Sequence, residues 1–353
     1  MYYELTRRRL LKGSALGLGG LLVSPFLDGR LWGDVASAPK KVLFFTKSSA
    51  FQHPVIARSQ AGKLSFAEQL LTDLGAKHGI EVVCSKDGSM FTAEKLKEFD
   101  VIAFCTTGDL TRDSQNYPAS QDAKGQAIAD KTKPIMHEPG MMPGGKEAFL
   151  DAIRQGKGFV GFHCATDTFH SKGHVRGQVN LVRDVDAQGH DDFDPYIKMI
   201  GGEFVVHGKQ QKALLKAIDP KWPGAAALND ASFVEEWYSL KNFSADLHVI
   251  LAQDCSAMTG AMYQRGPYPE TWARQHGQGR VFYTSMGHRE DVWQNPEFQS
   301  LVIGALNWAS RRIDVDVIPN IEQATPEANV KVSAAPNARQ NQAPKARSEQ
   351  PPK

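Results

Sequence analysis

The chain has 353 residues, with 41 Lys and Arg against 39 Asp and Glu, 41% hydrophobic residues and 23% charged ones. That composition is ordinary for a soluble globular protein whose core needs no disulfide or metal staple. A net charge of +2 gives no grounds for a nucleic-acid partner, and Lys345, Arg347 and Lys353 inflate even that value from outside any folded surface.

The N-terminus reads as an address. Thr6-Arg7-Arg8-Arg9-Leu10-Leu11-Lys12 matches the twin-arginine export pattern, with Leu10 where Phe is commoner. The apolar, Gly-rich stretch over residues 13–27 is short for a bilayer span, which takes ~20 apolar residues, and suits a signal peptide. Small residues at Val35-Ala36-Ser37 offer a cleavage site, so residues 1–37 are expected to be a removable twin-arginine signal. The mature protein is then expected in the periplasm or outside the cell, with no membrane span. Twin-arginine export carries folded chains, so Cys84, Cys105, Cys164 and Cys255, widely spaced and without a CxxC pair, are expected as small hydrophobes and not disulfides. At the other end, residues 319–353 are rich in Pro, Ala, Gln, Asn and Lys and hold no aromatic or branched aliphatic after Val332. Such a segment buries too little apolar surface to offset its ordering entropy and is predicted to be a disordered tail. Residues 40–314 between them form one domain.

Within it, residues 41–46 predict a buried strand, and Leu64, Ala67, Leu70, Leu71 and Leu74 set a helix over 64–78. A strand over 80–84, a short helix through Leu96 and a continuous apolar strand over 101–105 follow. A helix opening at Pro143 and a strand over 158–162 continue the rhythm. This β-α-β-α alternation predicts a doubly wound, mostly parallel sheet with functional groups at the strand C-termini. Residues 111–142 have no clear periodicity and are long for a connection, as lids and binding loops often are. The second half reads as an antiparallel extension, with strands over 202–206, 211–218, 233–240 and 247–253. Residues 271–276 and 280–286 flank Gly277-Gln278-Gly279 as a hairpin, and a helix over 296–308 closes the domain.

Five segments carry candidate chemistry. Gly161-Phe162-His163-Cys164-Ala165-Thr166-Asp167-Thr168-Phe169-His170 directly follows a buried strand, where a sharp turn exposes one side chain, here His163. Ser285-Met286-Gly287-His288-Arg289-Glu290 gives His288 the same kind of placement. In Val234-Glu235-Glu236-Trp237-Tyr238 the two acids point to opposite faces of a strand, so one of them faces the site. Phe51-Gln52-His53 lies after the first strand, and Gly201-Gly202-Glu203-Phe204-Val205-Val206-His207 completes the set. If His53, His163, Glu236 and His288 converge, they offer histidine acid–base chemistry or a first-row divalent metal site such as zinc.

The blocks GFHCATDTFH, GGEFVVHG, EEWYSL and GQGRVFYTSMGH, together with FTKSSAFQH, resemble in order the blocks of the ThuA-like (trehalose utilisation) family over about residues 41–310. The resemblance implies a class I glutamine amidotransferase-like, flavodoxin-type sheet. It does not imply glutamine hydrolysis: the amidotransferase elbow, Gly-x-Cys-x-Gly, reads here Gly161-Phe162-His163-Cys164-Ala165, with Cys164 one position late. It implies instead a place in disaccharide use, where partner dehydrogenases oxidise glycosides at C3 and the ketone acidifies the neighbouring C–H. On that basis His163 and His288 are expected to be acid and base, with Glu236 orienting one imidazole. His53, Thr166, Asp167, His207, Trp237 and Tyr238 are expected to bind the sugar, and Trp272 is a further stacking candidate. Any metal is expected on His163, His207, Glu236 and His288. Two other readings fit the same residues: a carbohydrate-binding module without turnover, and a metal-dependent hydrolase of a small ester or amide. A homo-oligomer is compatible with all three.

Overall fold

The computed structural model describes residues 40–121, 127–172, 174, 175 and 177–329. The expected signal segment and all of the expected tail beyond residue 329 lie outside these.

In chain order the first strands are β1 (Lys40–Phe45), β2 (Ile80–Ser85) and β3 (Val101–Phe104). Then come β4 (Ser114–Asn116), β5 (Ala119–Gln121), β6 (Ala127–Ala129), β7 (Met136–Glu138) and β8 (Gly158–Phe162). The second half adds β9 (Glu203–His207), β10 (Gln211–Ala217), β11 (Ser232–Glu235) and β12 (Tyr238–Lys241). It ends with β13 (His248–Asp254), β14 (Tyr268–His276) and β15 (Gly279–Thr284). Nine of these make one sheet in the order β11-β10-β13-β14-β15-β8-β3-β1-β2. From β15 to β2 the strands are mutually parallel; from β15 to β11 every pairing is antiparallel. The expected division into a parallel first half and an antiparallel extension is therefore the observed one, within a mixed α/β fold.

The helices are α1 (Phe66–Lys77), α2 (Ala93–Leu96), α3 (Gly145–Arg154), α4 (Pro195–Ile200), α5 (Glu290–Gln294), α6 (Pro296–Ala309) and α7 (Ile321–Ala324). α1, α5 and α6 pack together, and so do α2, α3 and α4. β3 and β8 are buried along their whole length, which accounts for their unbroken apolar runs. Among the described residues no helix is long and apolar enough to cross a membrane.

Three expectations need correction. The stretch 233–240 is not one strand: β11 ends at Glu235 in the large sheet, and β12 begins at Tyr238 in a separate pair with β9. The chain changes sheet across Glu236-Trp237, and a side-chain oxygen of Glu235 accepts the Glu236 N–H at 2.7 Å to close the corner. Residues 111–142 are built from two short antiparallel pairs, β4 with β7 and β5 with β6. The buried Lys47 amino group holds the first pair to the end of β1 through Ser114 Oγ (2.5 Å) and the Glu138 carbonyl (2.6 Å). Residues 319–329 are not tail. Asn320 accepts the Val249 N–H at 2.6 Å and donates to the Val249 carbonyl at 3.1 Å, Ile321 is buried, and Asn329 does the same for Phe243. Side-chain amides satisfy the edge there, a signal invisible to a hydrophobicity argument.

One buried ion pair fixes the loop after β1. Glu68, fully buried, closes the Ser65 capping box of α1 and accepts Arg58 Nε and Nη2 at 2.8 Å each and the Thr46 hydroxyl at 2.6 Å. Burial alone would raise the Glu68 pKa, but the Arg58 bonds and the nearby Lys86 charge hold it below the usual value. Glu68→Gln is expected to cost roughly 3 kcal/mol at neutral pH, because Arg58 loses its partner. A carboxyl depressed in the fold stabilises above its unfolded pKa of about 4.3 and loses that contribution as pH falls through the folded value. Urea melts should therefore show a constant deficit near neutrality that closes below about pH 4.

Candidate active site

The parallel strands end at one edge of the sheet, and three loops leaving it supply imidazoles. His53 follows β1, His163 follows β8 and His288 follows β15. Glu236 comes from the corner between β11 and β12.

His163 begins a 3-10 turn (His163–Asp167) and has φ 40°, a left-handed conformation that costs of order 1–3 kcal/mol for a side-chain-bearing residue. The surroundings hold it there. Its carbonyl accepts Tyr283 Oη at 2.7 Å, and its Nδ1–H donates to the Ser285 carbonyl at 2.7 Å. Gly161, two residues before, leaves the room: a Cβ there would stand 3.0 Å from the Tyr283 ring and 3.1 Å from Ala165 Cβ. Cys164 turns away from the site, with Sγ 3.6 Å from that of Cys105, and both are buried free thiols.

The loop carrying His288 is clamped by two buried carboxylates. Glu235 Oε2 accepts the N–H groups of Gly287 (3.0 Å) and His288 (3.1 Å). Glu270 Oε1 accepts the Ser285 hydroxyl (2.9 Å) and the Met286 N–H (3.1 Å). Burial pushes Glu235 up to about 7 and raises Glu270, against these bonds, which favour the ionised forms. Of the adjacent acids, Glu236 thus faces the site, while Glu235 builds it.

The four groups meet at one atom. Glu236 Oε2 lies 3.0 Å from His288 Nδ1, 3.3 Å from His163 Nε2 and 3.6 Å from His53 Nε2. His53 stands edge-on to both other rings, at centroid distances of 4.9 and 5.2 Å. Burial lowers the His163 pKa to about 3, and that of His53 falls for the same reason, so these rings are neutral. With Nδ1–H committed to Ser285, His163 turns a bare Nε2 lone pair toward a carboxylate oxygen. Two acceptors at 3.3 Å repel unless a cation or a proton lies between them. His288 Nδ1, though 3.0 Å from Glu236, lacks hydrogen-bond alignment with it. A tetrahedral ion with bonds of ~2.0–2.1 Å spaces its ligands roughly 3.3–3.4 Å apart, so the donor set fits a first-row divalent metal.

A cleft of about 220 Å³ adjoins this centre, walled by Phe51, Phe204 and Tyr238, with His53, Asp167 and His207 among its polar lining. Tyr238 Oη is 3.3 Å from His53 Nε2.

The expected residues divide. His53, His163, Glu236 and His288 converge, so the fourth member of the compact set is His53 and not His207. His207 stands exposed at the rim, with Nδ1 3.4 Å from Glu236 Oε1. Asp167 and Tyr238 line the cleft. Thr166 is fully buried under the His163 turn, its hydroxyl 2.9 Å from Tyr283 Oη, and touches no open space. Trp237 and Trp272 are buried too, their indole N–H groups given to the carbonyls of Gln211 and Ile200 at 2.8 Å. These three are structural. Sequence reasoning left Phe51, Phe204, Glu203 and His170 without roles, although all stand inside the singled-out segments. His170 joins Asp167 at 2.6 Å and Glu203 at 3.0 Å.

The fold and the centre together define a mixed α/β protein with a three-histidine, one-carboxylate cluster beside a cleft at the C-terminal edge of its parallel strands. Residues 137–309 match the ThuA family, described as trehalose utilisation, so this stretch of the chain is a ThuA-like domain. The match contains His163, Glu236 and His288; His53 precedes it. No curated protein matches the chain. Among solved structures, a ThuA-like protein from Bacteroides uniformis is 21% identical with a TM-score of 0.49, over 78% of this chain and 93% of that one. Another from Parabacteroides merdae is 16% identical with a TM-score of 0.47, over 80% and 93%.

Glu235→Gln is expected to lower stability by about 1–3 kcal/mol, since the amide nitrogen must face a backbone N–H that the carboxylate now accepts. Thermal melts read this, and amide exchange should quicken at Gly287 and His288 first.

Proposed function

We propose that this protein is a carbohydrate-processing enzyme that holds a divalent metal, zinc or a similar first-row ion, on His53, His163, Glu236 and His288. On this reading it acts on 3-keto glycosides or related oxidised disaccharides. The observation that carries it is the Glu236 oxygen facing three imidazoles at 3.0–3.6 Å, with the His163 proton fixed on its far nitrogen. The neutral His53 and His163 rings beside a buried carboxylate leave uncompensated negative charge at the centre, which a cation offsets. The Ser285 carbonyl plays the outer-shell part that orients a ligating imidazole. A bound ion would polarise a sugar carbonyl and stabilise negative charge building on its oxygen. The chain's own groups bind and orient the substrate: Phe51, Phe204 and Tyr238 offer apolar ring faces to a pyranose, and Asp167 and His207 offer partners for its hydroxyls. The cleft is smaller than the ~300–1,000 Å³ usual for drug-sized ligands, which favours one sugar unit over an oligosaccharide.

The same reading takes the parallel half of the sheet as flavodoxin-type and doubly wound, from the β2-β1-β3-β8-β15 order and the two separately packed groups of helices. It makes the protein a consumer of sugars that a 3-dehydrogenase supplies, exported through its twin-arginine segment. Replacing Arg7 and Arg8 by Lys is expected to leave the chain in the cytoplasm, as cell fractionation would read.

Purified protein is expected to carry close to one equivalent of metal by elemental analysis and to turn over methyl 3-keto-α-glucoside but not its unoxidised parent. His163→Ala should lose most of the metal and the turnover while keeping its fold. Metal-free wild type with full turnover would sink the metal assignment. Tight binding of unmodified sugar with no product from the loaded protein would make the domain a binding module.

A further inference from the structure

Asp167 ends the same 3-10 turn that His163 begins, so one turn presents the two side chains four residues apart. It is the single carboxylate among the described residues lining the cleft beside His53 and Tyr238. Its oxygen Oδ1 lies 2.6 Å from His170 Nε2, and the opposite nitrogen of that ring lies 3.0 Å from Glu203 Oε1. Glu203 is itself fixed: Oε1 accepts the Ser171 N–H at 2.9 Å and Oε2 accepts Asn242 Nδ2 at 2.6 Å. His174 stacks on His170 at a centroid distance of 3.5 Å and 10° between planes. His170 also borders a second cleft of about 460 Å³ that includes Lys146 and Asp194, so the chain of groups runs from one cleft to another.

We propose that Asp167 is the base that takes the proton from the carbon beside the sugar ketone, with His170, anchored by Glu203, as the positioning residue that aims it. This deepens the function proposed above and rests on it. The C–H bond breaks, its proton goes to a carboxylate oxygen of Asp167, and the C–H electron pair forms a carbon–carbon double bond. The carbonyl π pair moves to the ketone oxygen, giving an enolate. Return of a proton from Asp167 restores the ketone, so no oxidant or reductant is consumed.

The other polar groups of the cleft suit the role less. His53 belongs to the His/Glu cluster, and the exposed His207 gives its Nδ1 to the neighbouring Gly208 carbonyl at 2.9 Å. Tyr238 Oη is engaged with His53 Nε2 at 3.3 Å. Burial alone would lower the His170 pKa, but its bonds to Asp167 and Glu203 raise it, favouring the charged ring whose two nitrogens face the two carboxylates. Its charge in turn adds to the burial that lowers His174 to about 4.

The test is deuterium exchange at the carbon next to the ketone of methyl 3-keto-α-glucoside in D₂O, followed by NMR, with zinc-loaded protein. Wild type is expected to exchange that position. Asp167→Asn should slow exchange ~10²–10⁴-fold, with zinc content and melting temperature kept. His170→Gln, which retains one donor, should lower kcat about tenfold or more with KM little changed, and Asp167→Glu should restore part of the rate. Exchange at the wild-type rate in folded Asp167→Asn overturns the base assignment while the proposed function stands. A purely structural role for His170 would show as a lowered melting temperature with kcat intact, and would overturn its positioning role. No exchange and no turnover by loaded wild type would overturn both proposals together.

Discussion

A single carboxylate oxygen organises this molecule. Glu236 Oε2 faces three imidazoles from three different loops, in surroundings that exclude almost all water. Gathering four such groups costs hydration and opposes their lone pairs, so each must be held from behind. The supports are buried and specific: Tyr283 and Ser285 for His163, Glu235 for the backbone at His288, and the Glu68–Arg58 pair for the loop after His53. Much of the polar interior exists to keep these loops still. The left-handed backbone at His163 belongs to the same design, since it turns the ring back over the sheet edge and leaves Cys164 in the core.

The parallel half of the fold was legible because its strands are covered on both faces and read as unbroken apolar runs. The helices α1 and α6 were equally plain, through apolar spacing in the first and Pro296 at the opening of the second. The corner at Glu236-Trp237 was hidden, since β-branched and aromatic residues run straight through it while the chain leaves one sheet for another. The folded portion of 319–329 was hidden for a different reason: Asn320 and Asn329 hold it by amide hydrogen bonds, and composition counts asparagine as a loop residue.

At the site, position after a buried strand singled out His163 and His288, and the structure brings the two rings together, because the ends of parallel strands converge by topology alone. The same logic grouped His53 with His163, Glu236 and His288, the set the structure brings together, although the expected metal ligands had His207 in its place. A strand residue and a loop residue can both lie near a carboxylate, and only coordinates decide which points inward. Aromatic residues misled most. Trp237 and Trp272 were read as stacking candidates alongside Tyr238, yet their indole N–H groups satisfy buried carbonyls while Tyr238 faces the cleft. His170 was passed over because a histidine bound on both sides leaves no mark in sequence spacing.

The four converging residues stand at positions 53, 163, 236 and 288, in the first parallel strand's loop, the middle of the sheet, the antiparallel extension and the last strand's loop. No contiguous piece of the chain contains them all without being nearly the whole domain. Anything that binds the four together therefore acts as a non-covalent cross-link, tying the two halves of the sheet into one cooperative unit. An ion in that position would stabilise the native state by its affinity alone, about 2.7 kcal/mol at a hundredfold excess over its dissociation constant. Occupancy and unfolding would then be two views of one equilibrium.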